Sequence, residues 1–364
     1  MNGAAPSVDT IRTTHGAIAL SHLTAQIDGY ERRAASGEKT SVAWAKLIDL
    51  VTLKAQILGR IADYERASVL AERLAEAFSE DGLAFLTRAR TRASLHRFAE
   101  AMEDLERAVQ LGLSGREVDA EKAAILQAVG RYADAMTIRQ CIADVFPDFD
   151  SAAGLASLHA DLGETDAAEH WFDESYRRYR SVSPFELAQL EFQRGHMWMA
   201  KDRERALHWF LTAWRRLPFY ARAEGHLAEV EFALGHRAAA ISRLKRLAAD
   251  ADDPDYAAEL AGILREIGRI DESNAWQARA EVRYEELIAR HPAAFADHGA
   301  HFWLSMGNNP GKALDLARLN LEIRDTPNAR QLFSTALAAC SGATRAGGAT
   351  VRPTASVNEL GDAT

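Results

Sequence analysis

Residues 130–135 read GRYADA, a turn followed by the start of a helix, and this signature returns along the chain. It appears as ADYERA ending at Ala67, HRFAEA at Ala101, GRYADA at Ala135, GETDAA at Ala168, KDRERA at Ala206, GHRAAA at Ala240, GRIDES at Ser273 and NNPGKA at Ala313. Successive ends are 34, 34, 33, 38, 34, 33 and 40 residues apart. A period of this length is the mark of stacked supersecondary units, each too small to bury its own apolar face.

The units are helical. Alanine, the strongest helix former, occurs 70 times in 364 residues. Ala101, Leu105, Ala108 and Val109 fall on one helix face. No stretch alternates in the β-branched manner of a strand, and no Asn-Gly hairpin signal occurs. Helix starts are marked by Ser183-Pro184, Asp253-Pro254 and Thr326-Pro327, each a cap followed by proline. The expected fold is all-α, about eight helix-turn-helix repeats.

The residue types at fixed places resemble the tetratricopeptide repeat (TPR) family. The third repeat carries Gly130 and Tyr132 at the turn, Ala135 in the second helix and Pro147 at the end. The fourth has Ala156, Gly163, Ala168 and Phe172, the fifth Ala206, Phe210, Ala213 and Pro218, and the sixth Leu227, Ala228, Gly235 and Ala240. The seventh departs, with Ser273 at the fixed alanine, and the eighth has an insertion before Ala313. The resemblance covers roughly 42–325 and implies a right-handed superhelix. The expected layout is a disordered arm at 1–16, a helical repeat domain at 17–340 and a disordered tail at 341–364. Within the domain, 17–35 forms a lead-in helix and 327–340 a closing one, because open solenoid ends need caps.

Composition narrows the function. Lys and Arg number 43 against 52 Asp and Glu, a formal charge of −9, which argues against nucleic acid and membrane surfaces as partners. No apolar run reaches transmembrane length. The N-terminus has no basic-then-apolar leader, so a cytoplasmic protein is expected. Cys141 and Cys340 form no paired motif. Phosphate-binding loops, nucleophile elbows and HExxH are absent, so no enzyme activity and no cofactor are expected.

Thirteen of 29 aromatic residues fall within 171–232. Some must be core; the rest are candidates for a binding groove. The resemblance implies that the first helix of each repeat lines the concave side. Counting back from the fixed alanines puts Arg90, Gln127, Asp161, Glu191, Trp198, Arg222, Glu229, Phe232, Arg265 and Glu266 there. Aromatic and Arg side chains dominate protein interfaces, so the expected role is a scaffold that holds a protein or peptide. The Lys and Asn of repeats that clamp acidic chaperone tails are missing; Ala120, Ala124, Ala153 and Ser157 stand there instead. The alternative is a metal-binding or enzymatic solenoid with its site around His291–His301, using His291, Asp297, His298 and His301.

Overall fold

A computed structural model describes residues 11–37 and 40–346. These residues form eighteen helices and no strand. Helix α1 (Gly16–Ala35) leads in. Eight pairs follow: α2 (Ser41–Leu58) with α3 (Ile61–Ala77), α4 (Gly82–Ser94) with α5 (Phe98–Gln110), α6 (Arg116–Ala128) with α7 (Tyr132–Val145), α8 (Phe149–Asp161) with α9 (Thr165–Arg178), α10 (Phe185–Trp198) with α11 (Arg203–Arg216), α12 (Ala221–Ala233) with α13 (Arg237–Asp250), α14 (Pro254–Glu266) with α15 (Ile270–Arg290), and α16 (Ala296–Leu304) with α17 (Pro310–Ile323). Helix α18 (Pro327–Ala346) closes the series. It continues past Cys340, so the tail expected from 341 begins as helix; residues 347–364 lie outside the described residues.

The repeated small residue has a packing cause. Ala101, Ala135, Ala168, Ala206, Ala240 and Ala313 are completely buried, each where the second helix of a pair crosses the first. Nothing larger fits without separating the backbones. Ser273 keeps the same burial by donating its hydroxyl to the Ala261 carbonyl at 2.7 Å. Phe172, Phe210 and Leu244 fill the space toward the next repeat. A Cβ on Gly195 would stand 2.8 Å from the Phe210 ring, which accounts for glycine at that place.

The first helices of successive pairs touch each other, as α2 with α4, α4 with α6, α8 with α10 and α12 with α14, whereas the second helices at most brush. The stack therefore curves with its first helices inside. After one turn it meets itself. Helix α2 packs on α12, and Leu47, Leu50 and Ile57 share one apolar cluster with Phe192, Tyr220 and Leu227. Gln189 donates to Gln56 across the same seam at 2.9 Å. The N–H groups at the start of α3 are capped by a residue far along the chain: Ile61 and Ala62 donate to the Asp252 carboxylate at 2.5 and 3.0 Å. Glu65 of α3 pairs with Arg290 and, at 2.8 Å, with His291. Gly130, with φ of 86°, presses on the Asp325 carbonyl so closely that any Cβ would collide with it. Repeats one to three thus seat on repeats six to eight: the superhelix winds past one full turn and closes on itself, a ring of repeats whose ends overlap.

The N-terminal arm also takes part. Residues 1–10 lie outside the described residues, but 11–15, expected as part of a loose arm, are docked. Thr14 N–H donates to the Val182 carbonyl at 2.7 Å, and Arg216 donates to the Ile11 carbonyl at 3.3 Å. Ile11 packs beside Tyr176 and Tyr179.

Candidate functional site

Two groups of charged side chains lie on the first helices either side of the α2–α12 seam, one on α2, α4 and α6 and the second on α12 and α14. In the first, Arg90 of α4 reaches Asp49 of α2 at 3.7 Å, and Glu117 and Glu121 of α6 at 3.4 and 3.7 Å. Three carboxylates surround the Arg90 guanidinium, and Lys46 and Arg139 add positive charge beside Asp49 and Glu121. Burial pushes the Asp49 and Glu121 carboxyls up, with Arg90 opposing. Next to them Gln127 of α6 donates to Asp161 at 2.6 Å and to Ser157 at 3.1 Å, both on α8. Arg139 of α7 donates to the Gln127 oxygen at 2.7 Å. Burial raises Asp161 to about 6 and lowers Arg139 to about 10. Arg90 is thus partly open to a partner, while Gln127 is buried and bound into its network.

The fifth repeat differs from its expected register. Glu191 is fully buried and holds Arg216 of α11 through bonds of 2.6 and 2.8 Å. Trp198 donates its indole N–H to Glu169 of α9 at 2.8 Å and lies beneath the Arg205 guanidinium, 4.3 Å from ring centre. Both face second helices rather than the inside of the ring. The inward places of α10 are Gln189, which crosses to Gln56, and His196, whose ring lies 5.7 Å from His226 of α12. Counting from Ala206 fails because the α10–α11 connection shifts the helix register relative to the other repeats.

The remaining groove candidates are distributed. Arg222 sits over the Phe192 ring at 5.0 Å, close to the Tyr64, Tyr220 and Tyr256 hydroxyls. The start of α3 therefore covers the place where a partner was expected. Phe232 packs on the core of repeats six to eight. Arg265 is exposed and donates to Gln277 at 2.6 Å; Glu266 is exposed.

The second group was read in the sequence as groove at Glu229 and as helix capping at Asp253. Glu229 of α12 and Asp255 and Glu259 of α14 form an acidic row. Glu229 contacts His226 at 3.2 Å, and Asp255 pairs with His298 of α16. Burial and the carboxylates of Glu229 and Asp255 hold the Glu259 carboxyl well above its ordinary range. Asp253 caps α14 through the Asp255 N–H at 3.1 Å, and burial together with Asp255 pushes it up to about 7. The pair Asp252-Asp253 was the signal available, but its positions against the start of α3 and beside α16 are invisible in one sequence.

The histidine cluster proposed for a metal does not gather about one point: His298 lies 3.9 Å from Asp297, but His291 turns away to Glu65. His291 pairs with Glu65, Asp297 with Arg324, and His298 with Asp255. Among the described residues no three His, Cys, Asp or Glu side chains gather as metal ligands would. No helix of the described residues is long and apolar enough to cross a membrane.

No family model and no curated protein matches the sequence. Among solved structures the chain is similar to the human IFIT1 dimer with m7Gppp-AAAA, at 14% identity, covering 86% of this chain and 76% of that one, TM-score 0.54. It is similar to the human IFIT1 dimer with PPP-AAAA at 16% identity, covering 85% and 73%, TM-score 0.51. The APC/C hetero-tetramer Cut9-Hcn1 matches at 16% identity over 87% of this chain and 73% of that chain, TM-score 0.48. The neighbours are TPR proteins, and the likeness shows the fold: a TPR-type helical solenoid.

Proposed function

We propose that this TPR-type chain is a non-catalytic scaffold that binds a protein or peptide segment along the inner face of its ring. The supporting observation is the stretch built from α2, α4 and α6, where Arg90, Asp49, Glu117 and Glu121 offer charged groups that remain partly open to solvent. Their backbone positions are set by rigid helices, so a partner meets a preformed surface and little ordering entropy is lost. Arg90, Asp161, Glu229 and Arg265 remain the groove residues of this reading. Glu191, Trp198 and Gln127 support the wall behind it, and Arg222 and Phe232 join the ring seam and core. The chain's formal charge of −9 favours a polypeptide over nucleic acid, whose phosphates it would repel. The free thiols of Cys141 and Cys340 suit a cytoplasmic setting.

The test is site-specific photocrosslinking in cells, with benzoylphenylalanine placed at Glu117 on the inner face or at Glu103 on outer helix α5. The expected result is a discrete adduct from position 117 and none from 103. Adducts only from 103 would refute the inner-face reading.

A further inference from the structure

The fold brings three segments of one composition together where α9 and α11 end and α1 begins. Residues 11–18, 177–183 and 212–219 hold six arginines and no Asp or Glu, in a chain whose formal charge is −9. Their contact is direct. The Thr14 N–H donates to the Val182 carbonyl at 2.7 Å. Arg216 donates to the Ile11 carbonyl at 3.3 Å and to the Thr13 hydroxyl at 3.4 Å. A Cβ on Gly16 would stand 2.7 Å from the Arg216 carbonyl oxygen. The carboxylates that reach these segments from elsewhere are already engaged: Glu191 holds Arg216, Glu174 holds Arg177 and Arg178, and Glu186 accepts from the Tyr179 hydroxyl at 3.3 Å. Arg12, Arg180 and Arg215 are exposed. Among the described residues Arg12 and Arg215 make no ion pair, and Arg180 donates only to the Arg177 and Tyr179 carbonyls, at 2.8 and 2.7 Å.

Large apolar side chains stand in solvent beside these cations: Ile18 is 51%, Val182 69% and Phe219 44% exposed. Phe219 walls an open hollow of about 450 Å³ whose other side is α1, at Ala17, Leu20, Ser21 and Thr24. Clustered apolar surface of this kind marks an interaction site, and a guanidinium fork matches a carboxylate. We infer that this edge docks an acidic polypeptide segment, with an apolar side chain in the hollow against Phe219 and carboxylates on Arg12, Arg180 and Arg215. A concave site suits an inserted side chain, which favours a polypeptide over an anionic bilayer. Asp28 also lines the hollow, about three turns along α1 from Gly16. It repels carboxylates there and so directs the acidic part of the segment toward the arginines. This surface is separate from the inner face that carries Arg90.

The experiment uses the full-length protein and a fluorescein-labelled decaglutamate with a leucine pair at its centre, read by fluorescence anisotropy at about 50 mM salt, where such attraction is only partly screened. The double variant Arg12→Gln, Arg215→Gln and the single variant Phe219→Ser are each expected to weaken binding about tenfold. Arg330→Gln, which removes a positive charge from exposed α18, is expected to weaken it less than about twofold. Replacing the leucines of the probe with serine should match the loss caused by Phe219→Ser. The altered side chains are exposed, so the variants are expected to fold, and melting curves verify this. No binding by the unaltered protein, equal weakening by Arg330→Gln, or indifference to both Phe219→Ser and the leucines would overturn the inference. So would tighter binding to phosphatidylserine vesicles than to the peptide, lost in the same variants, which would assign the edge to a membrane. None of these outcomes touches the crosslinking result at Glu117, so the scaffold reading stands or falls separately.

Discussion

Removal of the Asp252 side chain should open the ring at a single point. Its carboxylate caps α3 from nearly two hundred residues away, accepting from Ile61 and Ala62 N–H at 2.5 and 3.0 Å. It is held in place by Arg283, whose guanidinium donates to Oδ2 at 3.3 Å and to the Asp252 carbonyl at 3.2 Å. Loss of a helix cap costs about 0.5–2 kcal/mol. The partly exposed pair with Arg283 contributes less, about 0.5 kcal/mol after solvent screening. Asp252→Ala should therefore lose about 2 kcal/mol, and Asp252→Asn, which keeps an acceptor, less than about 1 kcal/mol. Urea unfolding reads the total. Amide hydrogen exchange reads the place: protection should fall at Ile61 and Ala62 while the α8–α9 hairpin keeps its own. An unchanged urea midpoint with unchanged exchange at Ile61 and Ala62 would refute closure through this cap. Uniform loss of protection throughout the chain would show instead that the ring and its repeats unfold as one unit.

Ala135→Trp or Ala240→Trp places a bulky ring at a fully buried helix crossing and should cost about 1–3 kcal/mol or more; unchanged urea midpoints for both would show that these crossings tolerate separation. Glu191→Ala leaves the Arg216 guanidinium buried without its carboxylate and should cost about 3 kcal/mol, with crosslinking at Glu117 retained in the folded protein; loss of crosslinking at full stability would return Glu191 to the groove. Trp198→Ala should likewise lower thermal stability and leave capture intact, and the opposite pattern would restore its expected inward register. Glu259→Gln has a pH-dependent sign. The folded state raises this carboxyl above its unfolded value, so the unfolded chain releases the proton first and stability falls as pH rises from about 4.5. The substitution should therefore leave Tm unchanged near pH 4 and raise it by about 2 °C or more at pH 8; a lowered Tm at pH 8 would mean that the charged carboxylate has a stabilising partner.

The repeat series ending at Ala67 through Ala313 determined the helical pairs and their order, because a buried crossing accepts only a small residue and so writes itself into the sequence at every turn. The caps at Asp253 and Thr326 and the positive-φ glycines marked element ends for the same local reason. Arg90 could be placed inside the curve from its distance to Ala101, since its repeat keeps regular spacing. Glu191 and Trp198 could not, because a small change in the α10–α11 connection breaks the count back from Ala206, and only the packed neighbours Arg216 and Glu169 reveal the shift. Ring closure was beyond the sequence altogether. A solenoid's curvature is the sum of small rotations between repeats, so whether α2 meets α12 depends on all the intervening interfaces together. That sum alone brought Asp252 to the start of α3, covered Arg222 with Tyr64, and set Asp255 beside His298.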